Sequence, residues 1–416
     1  MNPLLRSLLL VSAALVLSLP AVAADAPPKP NVVVVLAADL GYGDLGCFGQ
    51  KTLKTPALDA MAADGMRFTQ FYAGAPVPGP SRWVFLTGVN GGRGLVRGGA
   101  TKPLAVPAGQ ATIATVLKGA GYATAYVGRW DVDVTARPSD LGFDTFNPDA
   151  SPVEGGVAFV REHKASPFLL VVSLSTPGTN PPPAAAGDFA DEKWPAGEKA
   201  FAAAVGAADR DAGRVLAALK EAGVEKNTLV IFTSTNGPAG GTAHDIERFD
   251  SNGKGRGGRG DVLEGGIRVP MITRWPGTIA PGGENDRQWY VGDILATAAE
   301  LAGATPPAGL DSDSFVEALH GMPSKDQWKR KSPLYWESYE GQTGQAVRFG
   351  KWKAIRSPMV TGPVELYDMS NDVVEKRDYS VRRPDLKNHA TNLLNKHRHP
   401  DPNGPATRPA TSPAAP

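Results

Sequence analysis

An apolar, β-branched run at residues 31–37, NVVVVLA, constrains the fold more than any other stretch. A strand without polar positions must be covered on both faces, which is typical of a parallel sheet enclosed by helices. Further apolar runs at residues 123–127, 168–174 and 228–233 are predicted strands, and residues 112–120 and 199–222 are predicted helices. A chain of 416 residues is long enough for one large α/β domain with a smaller appendage.

Polar side chains follow three of the predicted strands. Asp39 comes directly after the first, Arg129 follows the second, and Asn236 follows the fourth. Ligand-binding groups of open α/β sheets collect at the carboxyl ends of the strands. We therefore expect chemistry or binding at this edge of the sheet, with Asp39 within it.

The two ends of the chain look unlike the rest. Residues 1–23 carry one arginine, a short apolar run and the small-residue sequence Ala-Val-Ala, which predicts a signal peptide and export to the periplasm or beyond the cell. The apolar run is too short for a membrane span, so we expect none in the mature chain. Residues 398–416 are rich in Pro, Ala and Thr, and we expect a disordered tail. A net charge of +1 gives no reason to expect a nucleic-acid partner.

The pattern of apolar residues changes near residue 331. Short alternating runs at residues 334–337, 345–349, 352–355 and 364–367 predict antiparallel strands, and residues 384–396 predict a closing helix. We therefore divide the folded chain into an α/β domain at residues 30–330 and an antiparallel subdomain at residues 331–397.

One segment carries a specific resemblance. Residues 75–88 read APVPGPSRWVFLTG and resemble the sulfatase signature C-x-P-S-R-x-x-x-L-T-G. The match at residues 264–270, EGGIRVP, is residue for residue, and AVRFGKWKAIR and ELYDM near the carboxyl end are also sulfatase-like. The resemblance covers roughly residues 30–397 and rests on several motifs in order. It implies an alkaline-phosphatase-like fold: a mostly parallel sheet between helices, with a small antiparallel α+β subdomain.

The signature lacks its reacting group. In the family the first Cys becomes formylglycine, whose hydrated aldehyde attacks the sulfate ester, and here that position is Pro78. A proline side chain has no heteroatom and cannot attack sulfur.

The positions that bind calcium in the family are also depleted. Of two adjacent aspartates only Asp39 remains, beside Ala38, and of the family's Asp-Asn pair only Asn236 remains, beside Thr235. Calcium takes about six to eight oxygen ligands. We therefore expect Asp39 and Asn236 to be an incomplete remnant of a metal site, and we expect no cofactor.

At the remaining matching positions the positive charge of the family's arginine and lysines is kept, but the groups that could transfer a proton are replaced. Arg82 matches the family, Arg129 and Arg259 stand where it has lysines, and Asp131 and Gly178 stand where it has histidines. Guanidinium groups pair with oxyanions but do not release protons near neutral pH. The resemblance implies that the three arginines converge on the place of the sulfate group, whereas Asp131 is expected to be a solvated or salt-bridged loop residue.

Three functions are consistent with this pattern. The first is a catalytically inactive, exported sulfatase relative whose arginine-lined pocket binds sulfate or sulfated glycans. The second, from another class, is an active hydrolase of sulfuric or phosphoric esters that uses a mechanism without formylglycine. The third is a purely structural remnant, or a sequence whose reacting side chains were deliberately replaced.

Overall fold

The structure is a computed structural model that describes residues 29–93, 106, 109–132, 137–147, 151–179, 189–241, 244–321, 330–340 and 343–398. The predicted signal peptide, and the predicted tail from residue 399 onward, lie outside the described residues.

The elements follow one another in a largely alternating order. The α-helices are α1 (Pro56–Ala63), α2 (Pro78–Thr87), α3 (Ile113–Gly119), α4 (Pro152–His163), α5 (Ala196–Glu221), α6 (Glu264–Ile267), α7 (Asp293–Leu301), α8 (Val316–Leu319) and α9 (Pro384–His397). The strands are β1 (Asn31–Ala38), β2 (Met66–Phe68), β3 (Phe71–Tyr72), β4 (Ala123–Gly128), β5 (Thr145–Asn147), β6 (Phe168–Pro177), β7 (Thr228–Ser234), β8 (Met271–Arg274), β9 (Gly283–Asn285), β10 (Trp289–Tyr290), β11 (Leu334–Ser338), β12 (Gly344–Phe349), β13 (Trp352–Arg356) and β14 (Val364–Asp368).

The central sheet has the order β5-β4-β6-β1-β7-β8-β2-β9. Strands β5, β4, β6, β1 and β7 run parallel, whereas β8 is antiparallel to both β7 and β2. The predicted parallel sheet is thus confirmed. Because β4, β6, β1 and β7 are parallel neighbours, the segments that follow them meet at one edge of the sheet.

The apolar run of β1 is covered on both sides, as its composition requires. Val32 and Val34 face a cluster that includes Trp83 of α2, whereas Val33 and Val35 face a second cluster that includes Phe159 of α4. Alternate residues of a strand point to opposite faces, so one polar residue within this run would interrupt one of the two clusters.

A second sheet closes the molecule. Strands β11-β12-β13-β14 are antiparallel throughout, and α9 packs on one face through Ala390 and Leu394. The other face belongs to the main core, where Trp336 lies in the same cluster as Val32. The two sheets therefore share one hydrophobic core.

A buried ion-pair cluster joins the two sheets. The Lys353 ammonium of β13 lies 3.1 Å from Glu264 Oε1 and 2.7 Å from Glu375 Oε1, and all three side chains are fully buried. Glu375 also accepts a hydrogen bond of 2.9 Å from the backbone N–H of Glu264. The glutamate that begins the EGGIRVP segment is therefore a structural partner of the lysine in the second sheet.

Two local expectations differ from the structure. The sequence suggests that the side chain of Thr55 caps α1, but the first amides of α1 instead donate to the carboxylate of Asp209 on α5, at 2.8 Å from Leu58 and 3.2 Å from Ala57. The pattern also suggests a helix from Tyr290 onward, whereas Tyr290 belongs to β10, which pairs with β3, and the helix begins at Asp293.

Candidate functional site

The signature segment forms α2, and Pro78 is its first residue. Proline suits this position because its fixed φ fits the helix and its missing N–H would have no partner within the helix. Pro78 is buried. The position of the family nucleophile is therefore occupied by an inert ring that helps to begin the helix.

The hydroxyls of α2 make structural hydrogen bonds. Ser81 Oγ accepts a bond of 3.0 Å from the backbone N–H of Gly74, and Thr87 Oγ1 donates to the carbonyl of Trp83 at 2.9 Å. The one thiol of the chain, that of Cys47, has a pKa raised to about 12, first by burial and then by the charge of Asp59. None of these three groups is activated as a nucleophile.

Arg82 is a buried residue of α2. It is 1% exposed, its Nε donates to Ser173 Oγ of β6 at 3.2 Å, and its Nη1 lies 3.1 Å from Asp131 Oδ2. Its Nη2 is buried with no hydrogen-bond partner among the described residues. A buried guanidinium N–H without an acceptor is costly.

Arg129 and Asp131 follow β4 and form, together with Arg82, the first group of charged residues at this edge of the sheet. Arg129 Nε donates to the same Oδ2 of Asp131 that accepts from Arg82. Asp131 has φ of 40°, in the left-handed region that Asp and Asn tolerate better than most residues. The prediction of a salt-bridged role for Asp131 is confirmed, and the carboxylate joins two of the three candidate arginines.

Arg259 belongs to a second group, at the ends of β1 and β7. Its Nη1 lies 2.8 Å from Asp39 Oδ1, and its Nη2 lies 3.4 Å from Glu340 Oε1. Asp39 is 1% exposed and also accepts a 2.8 Å bond from Asn236 Nδ2. Arg82 and Arg129 thus pair with Asp131, whereas Arg259 pairs with Asp39 and Glu340, and the convergence of the three arginines on one sulfate position stays a prediction.

Glu340 was not anticipated from the sequence. It follows β11 of the second sheet and is brought to Arg259 through contacts such as the hydrogen bond from Ser338 Oγ to the carbonyl of Gly260. Asp39, Asp131 and Glu340 together balance Arg82, Arg129 and Arg259 in formal charge. The sequence could not indicate this balance, because Glu340 and Arg259 are brought together only by the way in which the second sheet packs against the rest of the molecule.

The second group does not fit calcium. Asn236 turns its Nδ2 donor toward Asp39, while its Oδ1 accepts a bond of 2.8 Å from Thr235 Oγ1. One oxygen of Asp39 is already bound by two donors, which leaves its Oδ2 as the single unsatisfied oxygen. Among the described residues, no three His, Cys, Asp or Glu side chains are grouped as metal ligands. The donors of this site therefore do not form a calcium sphere.

The histidine of the loop that follows β7, His244, is structural. The ring of His244 stacks on Phe201 at 3.6 Å between centroids, and its nitrogens contact the carbonyl of Ala239 at 2.8 Å and Ser251 Oγ at 3.1 Å. Burial lowers its pKa to about 4. It is therefore neutral at pH 7.

The two sheets and the edge site define the class of the molecule: an α/β protein of the alkaline-phosphatase type. A family model described as Sulfatase matches residues 30–153 and 147–304, and a model described as N-sulphoglucosamine sulphohydrolase, C-terminal, matches residues 260–398. The chain belongs to the sulfatase family, and the expected fold is confirmed.

Known proteins similar to this chain agree with that assignment. Arylsulfatase A of Homo sapiens is 32% identical over 407 residues, which cover 82% of this chain and 77% of the relative. Steryl-sulfatase of Mus musculus is 30% identical over 468 residues, which cover 81% and 72%. The solved structure of Ps i-CgsB in complex with k-i-k-neocarrahexaose is 26% identical and covers 89% of this chain and 94% of its own, with a TM-score of 0.77. Among the described residues, no helix combines the length and apolar character needed to cross a membrane.

Proposed function

We propose that this protein does not hydrolyse sulfate esters and instead binds sulfate groups of carbohydrates through Arg82 and Arg129. The observation that carries the loss of hydrolysis is Pro78 at the start of α2. Loss of a residue that forms the covalent bond costs on the order of a millionfold in rate. The neighbouring hydroxyls of Ser81 and Thr87 are bound to backbone groups and do not replace it.

The spare N–H of Arg82 supports the binding function. Its Nη2 is buried without an acceptor, and Arg129, whose side chain is 40% exposed, lies on the solvent side of the same carboxylate. A sulfate oxygen that reached Nη2 would receive a charge-assisted hydrogen bond, which is among the stronger polar contacts in proteins. The charge of Asp131 opposes an anion here, so we expect weak rather than tight binding.

The chemistry of similar proteins suggests the ligand class. N-acetylgalactosamine-6-sulfatase of Rattus norvegicus is 30% identical over 391 residues, and Ps i-CgsB was solved with a neocarrahexaose. Both names refer to carbohydrates. We therefore propose a sulfated carbohydrate, rather than a free sulfate ion, as the ligand of this chain.

Calorimetric titration with sulfate and with sulfated monosaccharides tests the binding proposal. Arg129→Ala, a change at a partly exposed position, should abolish measurable binding, and Arg82→Ala should do the same if it folds. Arg214→Ala is a matched control, because this exposed arginine of α5 pairs only with Glu154 among the contacts described. Absence of binding by the wild-type protein, or unchanged binding by Arg129→Ala, contradicts the proposal.

Turnover of an aryl sulfate tests the loss of hydrolysis separately. We expect the rate of the wild-type protein to equal background. We expect the same of Pro78→Cys produced with the formylglycine-forming enzyme, since calcium ligands and proton donors are also missing. Turnover above background by the wild-type protein, abolished in Arg82→Ala, would favour the alternative of a hydrolase without formylglycine.

We also propose export, from the sequence of residues 1–23. Mass spectrometry of the protein recovered from its native cells should show a chain that begins near residue 24. A full-length chain retained in the cytoplasm would contradict this.

A further inference from the structure

We infer that the guanidinium of Arg259 is the resident cation of the second group, so that this chain keeps its edge site and its stability without calcium. The group gathers the carboxylates of Asp39 and Glu340 around one positive charge, with Nη1 2.8 Å from Asp39 and Nη2 3.4 Å from Glu340. This inference does not depend on sulfate binding.

The donors around Asp39 fit a guanidinium and not a metal ion. Asp39 Oδ1 accepts from Arg259 and from Asn236 Nδ2, each at 2.8 Å. A metal ion would need the amide oxygen of Asn236, but Asn236 Nδ2 donates to Asp39 Oδ1 and to the carbonyl of Gly237 at 2.9 Å, and these two acceptors hold the amide in the opposite orientation. The orientation of Asn236 therefore favours a hydrogen-bonded cation over a metal ion.

Arginine suits this place because its two terminal nitrogens can serve two carboxylates at once. The side chain of Arg259 is 24% exposed, whereas that of Asp39 is 1% exposed. A buried carboxylate needs a compensating charge close by, since its own hydration is lost. Arg259 supplies that charge from the rim of the site.

The backbone around Arg259 is fixed from two sides. Its N–H donates to the carbonyl of Pro238 at 2.8 Å, and the next N–H, that of Gly260, donates to the carbonyl of Pro76 at 2.9 Å. Pro238 follows the Asn236 loop, and Pro76 precedes α2. The cation is thus held between the end of β7 and the start of the signature helix, where its loss would affect both.

Thermal unfolding with and without calcium tests the inference. The melting temperature of the wild-type protein should be the same in EDTA and in millimolar calcium chloride, because an ion that does not bind the folded state does not stabilise it. Arg259→Met should lower the melting temperature by about 5 °C or more, since it leaves the buried carboxylate of Asp39 without its cation. The control Arg214→Met, at an exposed pair, should not.

A second variant keeps the test decisive if Arg259→Met does not fold. Arg259→Met/Asp39→Asn removes both charges of the pair and should recover most of the lost melting temperature. Stabilisation of the wild-type protein by calcium, destabilisation by EDTA, or a melting temperature of the double variant no higher than that of Arg259→Met would overturn the inference.

Discussion

Replacing Asp131 with Asn should tighten sulfate binding at the proposed site. In the folded protein, Asp131 Oδ2 accepts from Arg82 Nη1 at 3.1 Å and from Arg129 Nε, so an incoming anion competes with a tethered carboxylate. Asparagine has nearly the same shape and tolerates the left-handed backbone at this position, where φ is 40°. The substitution therefore removes the charge with little change to the loop.

The structure gives the size of the effect. A hydrogen bond to a charged group contributes about 1.5–3 kcal/mol. Because the side chain of Asp131 is 33% exposed, water screens the pair and the lower end of this range applies. A change of about 1.4 kcal/mol corresponds to about a tenfold lower dissociation constant.

Calorimetric titration with sulfate and with a sulfated monosaccharide measures this change. The control Asp385→Asn removes a carboxylate from an exposed pair with Arg383, away from the sheet edge, and should leave the dissociation constant unchanged. If Asp131→Asn binds no more tightly than the wild-type protein, Asp131 does not compete with the ligand and the proposed position of the sulfate is wrong.

Three further predictions concern stability. Lys353→Met should lower the free energy of unfolding by about 3–5 kcal/mol in urea titrations, because it leaves the buried Glu375 without its cation and Glu264 with the more distant Arg348 at 3.8 Å; a loss below about 1 kcal/mol would show that the cluster is not a stabilising contact. Asp209→Ala should cost about 2 kcal/mol through the uncapped amides of α1, whereas Asp209→Asn, which retains an acceptor, should cost less. Burial lowers the pKa of His244 to about 4, and a histidine of the unfolded chain titrates near about 6.5, so this residue removes stability as the pH falls from about 6.5 to about 4. His244→Gln should flatten that part of the stability profile; an unchanged slope would contradict the assignment.

The strands of the parallel sheet could be predicted almost to the residue, because continuous apolar runs have few alternative structures. The run at residues 31–37 is β1, which ends at Ala38, and the run at residues 228–233 is β7, which ends at Ser234. Two-residue strands such as β3 and β10 could not be predicted, since they are defined by their pairing with each other and not by local composition. The same holds for the cap of α1, whose acceptor lies on α5.

The signature helix shows a different limit of sequence reasoning. Pro78-Gly79-Pro80 contains the residues that usually interrupt helices, yet α2 begins there. Proline is tolerated in the first turn because the first N–H groups of a helix have no partner within the helix. The residues of the site could be named from the motifs, but their pairing could not. Glu340 reaches Arg259 from another sheet, and Asp131 serves two arginines at once.

The buried cluster of Lys353, Glu264 and Glu375 has a consequence for how this chain can be divided. A fragment that stops at residue 330 would lack Lys353 and Arg348, two cations beside the buried Glu264, and an isolated carboxyl-terminal fragment would keep the Lys353–Glu375 pair but lose Glu264. We therefore expect neither piece to fold on its own, and deletion variants of this protein should retain both sheets.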